Sequence, residues 1–286
     1  MASTHRLESR ALLLLFAAAG ILQAAGGFVE AEVVRIESLT RDVKRIRVKF
    51  PAAYTFQAGQ FALFRVPGKF VEEWNAKYGT RHSEVRRPYS FASSPARLPY
   101  ADFIIKLVPA PPGKDVPPGI CSTWVHRYLK IGDRVEVGKP MGSMAISMDS
   151  TRAIVLVAGG AGVAPFVGLL EYWFETGVNQ RRTIYLFLGV RQRQNLILHE
   201  QLTAWARGKH NFRYIPALSN PVPEDQWAGE TGFLHSVLDR HFPGTLDADA
   251  LLAGSPAMMQ ETERLLKSKG IPPEQIHHDP IQVQVP

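Results

Sequence analysis

The chain of 286 residues has a single cysteine, Cys121. An internal disulfide framework is therefore excluded, and so is an iron–sulfur cluster held by four thiolates of this chain. Its 9 histidines are scattered, and none stands in the H-x-x-x-H spacing of a metal site. No metal-binding residue is expected. The net charge is +7, yet no Lys/Arg run is longer than a pair. No basic stripe with interleaved aromatics points to nucleic acid either. The excess charge suits a solvated surface, or one that meets an acidic protein or an anionic lipid face. Hydrophobic residues make up 45% and charged residues 21%, so disorder and coiled coil are excluded as the main character. The length allows two domains.

Long apolar stretches are scarce outside the strands and helices read below, with one exception. Ala11 to Ala25 reads ALLLLFAAAGILQAA, preceded by Arg6 and Arg10. Carried through Val29 it reaches about 19 residues, the lower limit for a membrane span. A membrane anchor, a docking helix and a cleaved signal peptide all fit residues 1–27.

From Phe28 apolar and polar residues alternate, as in FVEAEVVRIESL and VKRIRVKF. FALFRV, RPYSFAS, DFIIKLV and DRVEVG follow, separated by turns rich in Pro and Gly. This pattern predicts an antiparallel β-barrel of about six strands over 28–148. A charged insertion from Lys69 to Val85, with Trp74 and Tyr78, interrupts it. From Arg152 the texture changes. AIVLVAGG and TIYLFLGV are continuous apolar runs that alternate with amphipathic stretches such as VAPFVGLLEYWFET. This predicts an α/β domain with a parallel sheet of about five strands over 152–286.

Three local signals carry chemistry. Gly159, Gly160 and Gly162, with Pro165 after them, follow a predicted strand and open a predicted helix. Backbone N–H groups at such a place bind phosphate, and bare glycines admit a pyrophosphate closely. Arg87-Pro88-Tyr89-Ser90 lies on a barrel strand, where an Arg, a ring and a hydroxyl alternate. Gly119-Ile120-Cys121-Ser122 precedes the short helix STWVHRYL, another helix start suited to an anion. Each alone also fits plain structure: a tight turn, an edge charge, an N-cap. Gly254 and Met258 mark a fourth turn, GSPAMM, near the end.

Taken in order, R-x-Y-S, G-x-x-S, G-G-x-G-x-x-P and the late G-S-P-A-M-M resemble the ferredoxin–NADP reductase superfamily over Phe28 to about Asp279. The run APPGKDVPPGICS and the segment ALSNPVPEDQWAGETGFLHSVL are similar to the reductase module found in the F subunits of sodium-translocating NADH:quinone oxidoreductases. The resemblance implies an FAD-binding barrel and an NAD(P)-binding α/β domain. It implies that Arg87 meets the FAD pyrophosphate, with Pro88 beside it on the strand. Tyr89 then stacks on the isoalloxazine and Ser90 hydrogen-bonds near flavin N5, which makes these two the catalytic pair. Gly119, Ile120, Cys121 and Ser122 receive the pyrophosphate. Gly159, Gly160, Gly162, Pro165, Gly254 and Met258 receive the nicotinamide dinucleotide.

Two positions depart from the family pattern. Ala253 stands where the family carries a cysteine beside the nicotinamide, and Ser255 replaces the first proline after it. His277-His278-Asp279-Pro280-Ile281 has no aromatic where the family places one near the flavin. The segment after the second parallel strand, Gly189-Val190-Arg191-Gln192-Arg193, has no acid for ribose hydroxyls. Arg193 stands where a 2′-phosphate is met, and Arg191 beside it is counted with the cofactor-binding residues. The family resemblance favours NADH over NADPH. The expected activity is oxidation of NAD(P)H through FAD, with electrons passed to a separate iron–sulfur protein, haem protein or quinone. In that family a [2Fe–2S] domain precedes this module; here the apolar segment runs straight into the barrel. A membrane-associated protein is expected, its catalytic domain on the NAD(P)H-containing side. A flavin-bearing structural component with little turnover is the alternative.

Overall fold

The computed structural model describes residues 27–279, apart from 145, 148 and 149. The role expected for the apolar N-terminal run therefore lies outside the described residues, as does Ile281.

The first half is built from β1 (Phe28–Thr40), β2 (Val43–Lys49), β3 (Phe61–Arg65), β4 (Arg86–Ser90), β5 (Tyr100–Lys106) and β6 (Arg134–Gly138). Their order is β4-β3-β6-β1-β2-β5, with every neighbour antiparallel. An isolated bridge between Phe91 and Phe103 joins the two ends into a barrel. Closure leaves no free sheet edge there. Phe64, Phe91 and Phe103 fill the interior. Phe64 meets Phe103 edge-on at 4.7 Å. The charged insertion forms α1 (Gly68–Tyr78), which buries Val71 and Trp74 and ends on Gly79 in the left-handed conformation. A second helix, α2 (Ile120–Arg127), buries its first six residues, Ile120 to Val125.

The second half holds β7 (Ala153–Gly159), β8 (Ile184–Val190), β9 (Phe212–Leu218), β10 (Glu230–Thr231), β11 (Ala248–Ala253) and β12 (Ile276–His278). The order is β10-β9-β8-β7-β11-β12 and all pairs are parallel. The sheet has one strand more than the pattern predicts. The edge strands β10 and β12 have two and three residues, too short for a hydrophobic period to mark them. Four helices accompany the strands: α3 (Ala164–Thr176), α4 (His199–Gly208), α5 (Leu234–His241) and α6 (Pro256–Ser268). The run LILHEQLTAWAR is helical only from His199. Leu196 and Ile197 are buried before it, and Leu198 turns the chain with φ +55°.

The two halves meet along α3. A Cβ on Gly168 would lie 2.6 Å from the Phe91 carbonyl oxygen, so the helix rests directly on barrel backbone. Glu171 is buried there and accepts from the Ser94 N–H at 3.2 Å. Arg97 of the barrel reaches Glu171 at 3.4 Å and Glu175 at 2.8 Å. Burial raises the Glu171 carboxyl above its ordinary range, against the pull of Arg97. Val43, Ala92, Ile104 and Met144 from the barrel side pack in one apolar cluster with Phe166, Leu169 and Leu170 of α3. The relative placement of barrel and sheet is thus fixed by packing.

Candidate functional site

A parallel sheet binds ligands at the carboxyl ends of its strands, at the point where strand order reverses. Here the chain runs outward from β7 to β10, then returns to the other side of β7 with β11. The carboxyl ends of β7, β8 and β11 are level, with Gly159 opposite Gly189 and Ala158 opposite Ala253. Just beyond them opens a cleft of about 930 Å³, closed on its other side by the barrel. Its size falls in the range of a cofactor site.

The barrel wall of the cleft carries Pro88, Tyr89 and Ser90 at the end of β4. The Tyr89 ring packs edge-on against Phe64 at 5.4 Å. Burial pushes the Tyr89 phenol well above its ordinary range, and the neighbouring Cys121 adds to this. Burial likewise pushes the Cys121 thiol up to about 11, although its hydrogen bond with Tyr89 and the nearby Arg87 act the other way. Both groups stay neutral near pH 7, so the phenol remains a hydrogen-bond donor. Arg87 is exposed beside them and donates from Nη1 to its neighbour Arg86 O at 2.8 Å. The Tyr89–Cys121 contact brings β4 against the start of α2. Ser122 accepts from the Val108 N–H at 3.1 Å and donates to Gly119 O at 3.0 Å. The structure therefore gathers R-x-Y-S and G-x-x-S into one neighbourhood. Ile120, Cys121 and Ser122 are themselves buried.

The opposite wall carries the glycine turns. Gly159, Gly160, Gly162, Pro165, Gly254 and Met258 all line the cleft. The glycines serve different ends. Gly160 has φ +54° and nothing within 4 Å of where a Cβ would stand, so its bare face looks into open space. Gly162 faces the protein: a Cβ there would lie 2.4 Å from the Ala253 carbonyl oxygen. A Cβ on Gly159 would meet the Met258 sulfur at 2.9 Å. Only Gly160 of the three keeps room for a pyrophosphate; Gly162 keeps room for β11. The open cradle at Gly160, facing a ring and a hydroxyl at Tyr89 and Ser90, fits a flavin and a nicotinamide dinucleotide brought together.

At the far end the two arginines part. Arg191 lines the cleft. Arg193 donates to the Asp225 carbonyl oxygen at 3.1 Å and is held against that turn. Several lining residues carry no motif: Asp42, Lys106, Asn195, Ser219, Phe233 and Asp279. Ser219 and Phe233 follow β9 and β10, so the strand-end rule was the signal for them. Phe233 is 68% exposed. Asp279 is buried at the end of β12, where its N–H donates to Leu252 O at 2.8 Å. His277 and His278 precede it as half-buried strand residues, and His278 meets Glu263 at 3.2 Å. Ala253 is fully buried at the end of β11.

The description "Oxidoreductase FAD-binding domain" matches residues 30–146, and "Oxidoreductase NAD-binding domain" matches residues 156–264. The chain is 30% identical over 249 residues to the phenol hydroxylase P5 protein of Acinetobacter pittii, covering 87% of this chain and 64% of that one. It is 31% identical over 276 residues to the F subunit of the Na(+)-translocating NADH-quinone reductase of Yersinia enterocolitica, covering 87% and 67%. The solved structure of the ferredoxin reductase in carbazole 1,9a-dioxygenase matches with a TM-score of 0.71 at 27% identity, over 88% of this chain and 68% of that one. The chain spans just under two thirds of the length of the phenol hydroxylase protein. Both domain families occur in the order the barrel and sheet require, and the similarity to the Yersinia relative runs through both over most of this chain. The protein therefore belongs to the ferredoxin–NADP reductase superfamily of flavin-dependent NAD(P)H oxidoreductases.

Proposed function

We propose that this chain oxidises NAD(P)H through FAD and hands the electrons to a separate acceptor, an iron–sulfur protein, a haem protein or a quinone. One observation carries this reading: a single cleft lined by Tyr89 and Ser90 on the barrel side and by the open backbone of Gly160 on the other. When bound, FAD would supply the redox chemistry, that of a two-electron acceptor for NAD(P)H and a one-electron donor to the acceptor. The protein positions and shields. Arg87 offers a charged fork to the flavin pyrophosphate, beside the N–H groups at the start of α2. Tyr89, kept neutral by burial, packs its ring against the flavin. Ser90 presents a hydroxyl, itself 6% exposed, to the ring edge. Gly160 admits the second pyrophosphate at the start of α3, and Met258 walls the nicotinamide end.

NADH is the favoured donor, by similarity to the Na(+)-translocating NADH-quinone reductase relatives. Arg191 is the observation that favours use of NADPH as well. Among the described residues no helix is long and apolar enough to cross a membrane. The run from Ala11 to Ala25 is the proposed tether to a membrane or to the acceptor.

The test is anaerobic addition of NADH and NADPH to the purified yellow protein. Bleaching of the flavin band by one or both supports the reading. A colourless protein that takes up no added FAD overturns it. Flavin that stays oxidised leaves a flavin carrier without turnover.

A further inference from the structure

Two loops meet at the far end of the cleft. One follows β8 and brings Arg191, Asn195 and Ile197 to it; the other follows β9 and brings Ser219. The pairing of β8 with β9 runs out where Ser219 N–H donates to Val190 O at 2.9 Å and Asn220 N–H to Arg191 O at 3.0 Å. Beyond that point the two chains are joined by one side chain, Asp225, which is 8% exposed. Its Oδ1 accepts from the Arg193 N–H at 3.2 Å, and its Oδ2 from the Val222 N–H at 3.1 Å. A single carboxylate thus bridges the main chains of both loops. Hydrogen bonds to a carboxylate are among the strong ones, which suits a group that replaces a ladder. Both donors are main-chain groups, so the bridge does not need the Arg193 side chain, which reaches the Asp225 carbonyl separately.

The first loop is also pinned at its other end. His199, the first residue of α4, has Nδ1 3.2 Å from the Tyr214 hydroxyl of β9. Between the pins, Asn195 Oδ1 accepts from the Gln192 N–H at 3.2 Å. The backbone pays for this arrangement in conformation. Among the described residues three that are not glycine have positive φ, and two of them stand at the pins: Leu198 at +55° and Gln226 at +43°. A leucine or a glutamine in that region is held there by its surroundings, and such strain gathers at ligand sites.

We infer that Asp225 is a positioning residue for the nicotinamide donor. By bridging the two loops it fixes Arg191, and not Arg193, toward the cleft, and so sets both donor affinity and donor choice. This rests on the proposed use of the cleft for NAD(P)H.

The test is steady-state oxidation of NADH and NADPH by the full-length, flavin-loaded chain, with saturating ferricyanide as acceptor. It compares the wild type, Asp225→Asn, Asp225→Ala, Arg191→Ala and the double variant Asp225→Ala with Arg191→Ala. Asp225→Ala removes both acceptor oxygens. With the loops in their binding arrangement only about a tenth of the time, KM for both donors rises about tenfold, while kcat and flavin content stay within about twofold. Asp225→Asn keeps one acceptor oxygen, and KM rises about threefold. Arg191→Ala lowers kcat/KM for NADPH about threefold in the wild type. It has no further effect in Asp225→Ala, because the arginine is no longer held to the cleft. Unchanged KM in both Asp225 variants overturns the inference. So does a fall in kcat or in flavin content as large as the rise in KM, which makes Asp225 a packing residue. An effect of Arg191→Ala that is equal in the two backgrounds overturns it too. If Asp225→Ala does not fold, the isosteric Asp225→Asn carries the same comparison. A wild type whose flavin neither donor reduces overturns the functional reading beneath.

Discussion

On the barrel wall of the cleft, Tyr89 is half-buried and Ser90 buried at the end of β4, and the buried Cys121 at the start of α2 stands behind Tyr89. On the α/β wall, the glycine turns bring backbone to the same space, and at Gly160 it is open because no side chain stands there. One wall offers chemistry that a single substitution can delete. The other offers room that a single substitution can fill. The barrel wall gains its rigidity from closure, with the Phe91–Phe103 bridge completing the ring of strands. The open sheet has no such closure. Its order depends on what pins β11 beside β7, because Gly254 and Met258 follow β11 and Gly159 ends β7.

That pin is the largest target. Asp249 on β11 is buried between Arg152, at 3.0 Å, and Arg182, which is itself buried. Arg182 also donates from Nε to the Arg152 carbonyl oxygen at 2.6 Å. Asp249→Ala leaves the Arg182 charge without its partner, and unfolding of the α/β half is expected to cost about 3–5 kcal/mol less than in the wild type. Denaturant titration measures it. The same pair sets a pH dependence. Burial pushes the Asp249 carboxyl up, but hydrogen bonds from Arg152 and Arg182 outweigh this and hold it below the ordinary value. Its contribution is full above the unfolded pKa and is lost as the pH falls through the lower folded one. Acid should therefore loosen the α/β half, and the variant should lack that acid dependence.

The next effect falls on the barrel wall. Arg87→Ala removes the proposed charge-assisted contact to the flavin pyrophosphate, and is expected to cost about 1.5–3 kcal/mol of flavin affinity. Because Arg87 is exposed and bonded only to a neighbouring carbonyl, the fold should hold. Flavin content after purification, set beside the thermal midpoint, separates the two. A fall in both together would assign Arg87 to the barrel's stability and not to the ligand.

The two glycines on the other wall sharpen the comparison. A Cβ at Gly162 meets the backbone of Ala253 and Gly254, so Gly162→Ala should destabilise the α/β half by about 1–3 kcal/mol, as overpacking does. Gly160 has open space ahead of it and a left-handed backbone that asparagine tolerates. Gly160→Asn should keep the fold and raise the KM for the nicotinamide donor, with flavin still bound. If Gly162→Ala melts like the wild type, the contact with β11 is softer than its geometry indicates.

The two walls also differ in how far they are legible in the sequence. The change from alternating to continuous apolar runs divides barrel from sheet near Arg152, because strands buried on one face and on both faces have different patterns. Pro88-Tyr89-Ser90 and the glycine turns lead to the cleft because they sit at strand ends and helix starts, whereas Arg87 and Gly119–Ser122 stand beside it and do not line it. Three things escape the sequence. Gly160 and Gly162 look equivalent in G-G-A-G, and only packing against β11 separates them. Arg191 and Arg193 are two residues apart, and only the turn at Asp225 decides which one faces the cleft. Asp279 and Phe233 belong to no motif; they arrive through the ends of β12 and β10, strands of three and two residues that pattern cannot find.

The smallest expected effect tests the choice of donor, which divides the two arginines. Arg191 lines the cleft beyond β8, where the adenosine end of a dinucleotide lies when its pyrophosphate is at Gly160. It is exposed, so its attraction for a 2′-phosphate is screened and amounts to about 0.5–1 kcal/mol. Arg191→Ala should therefore lower kcat/KM for NADPH about threefold and leave that for NADH unchanged. Arg193 is held by the Asp225 carbonyl, and Arg193→Ala should change neither donor's kcat/KM. Raising the salt concentration should erase the difference between wild type and Arg191→Ala for NADPH, since an exposed charge pair is what separates them. An equal loss for both donors would move Arg191 to the pyrophosphate or ribose that NADH and NADPH share. A loss at Arg193 and none at Arg191 would mean that the turn at Asp225 opens when the dinucleotide binds, and that the arginine facing the cleft in the free protein is not the one that selects the donor.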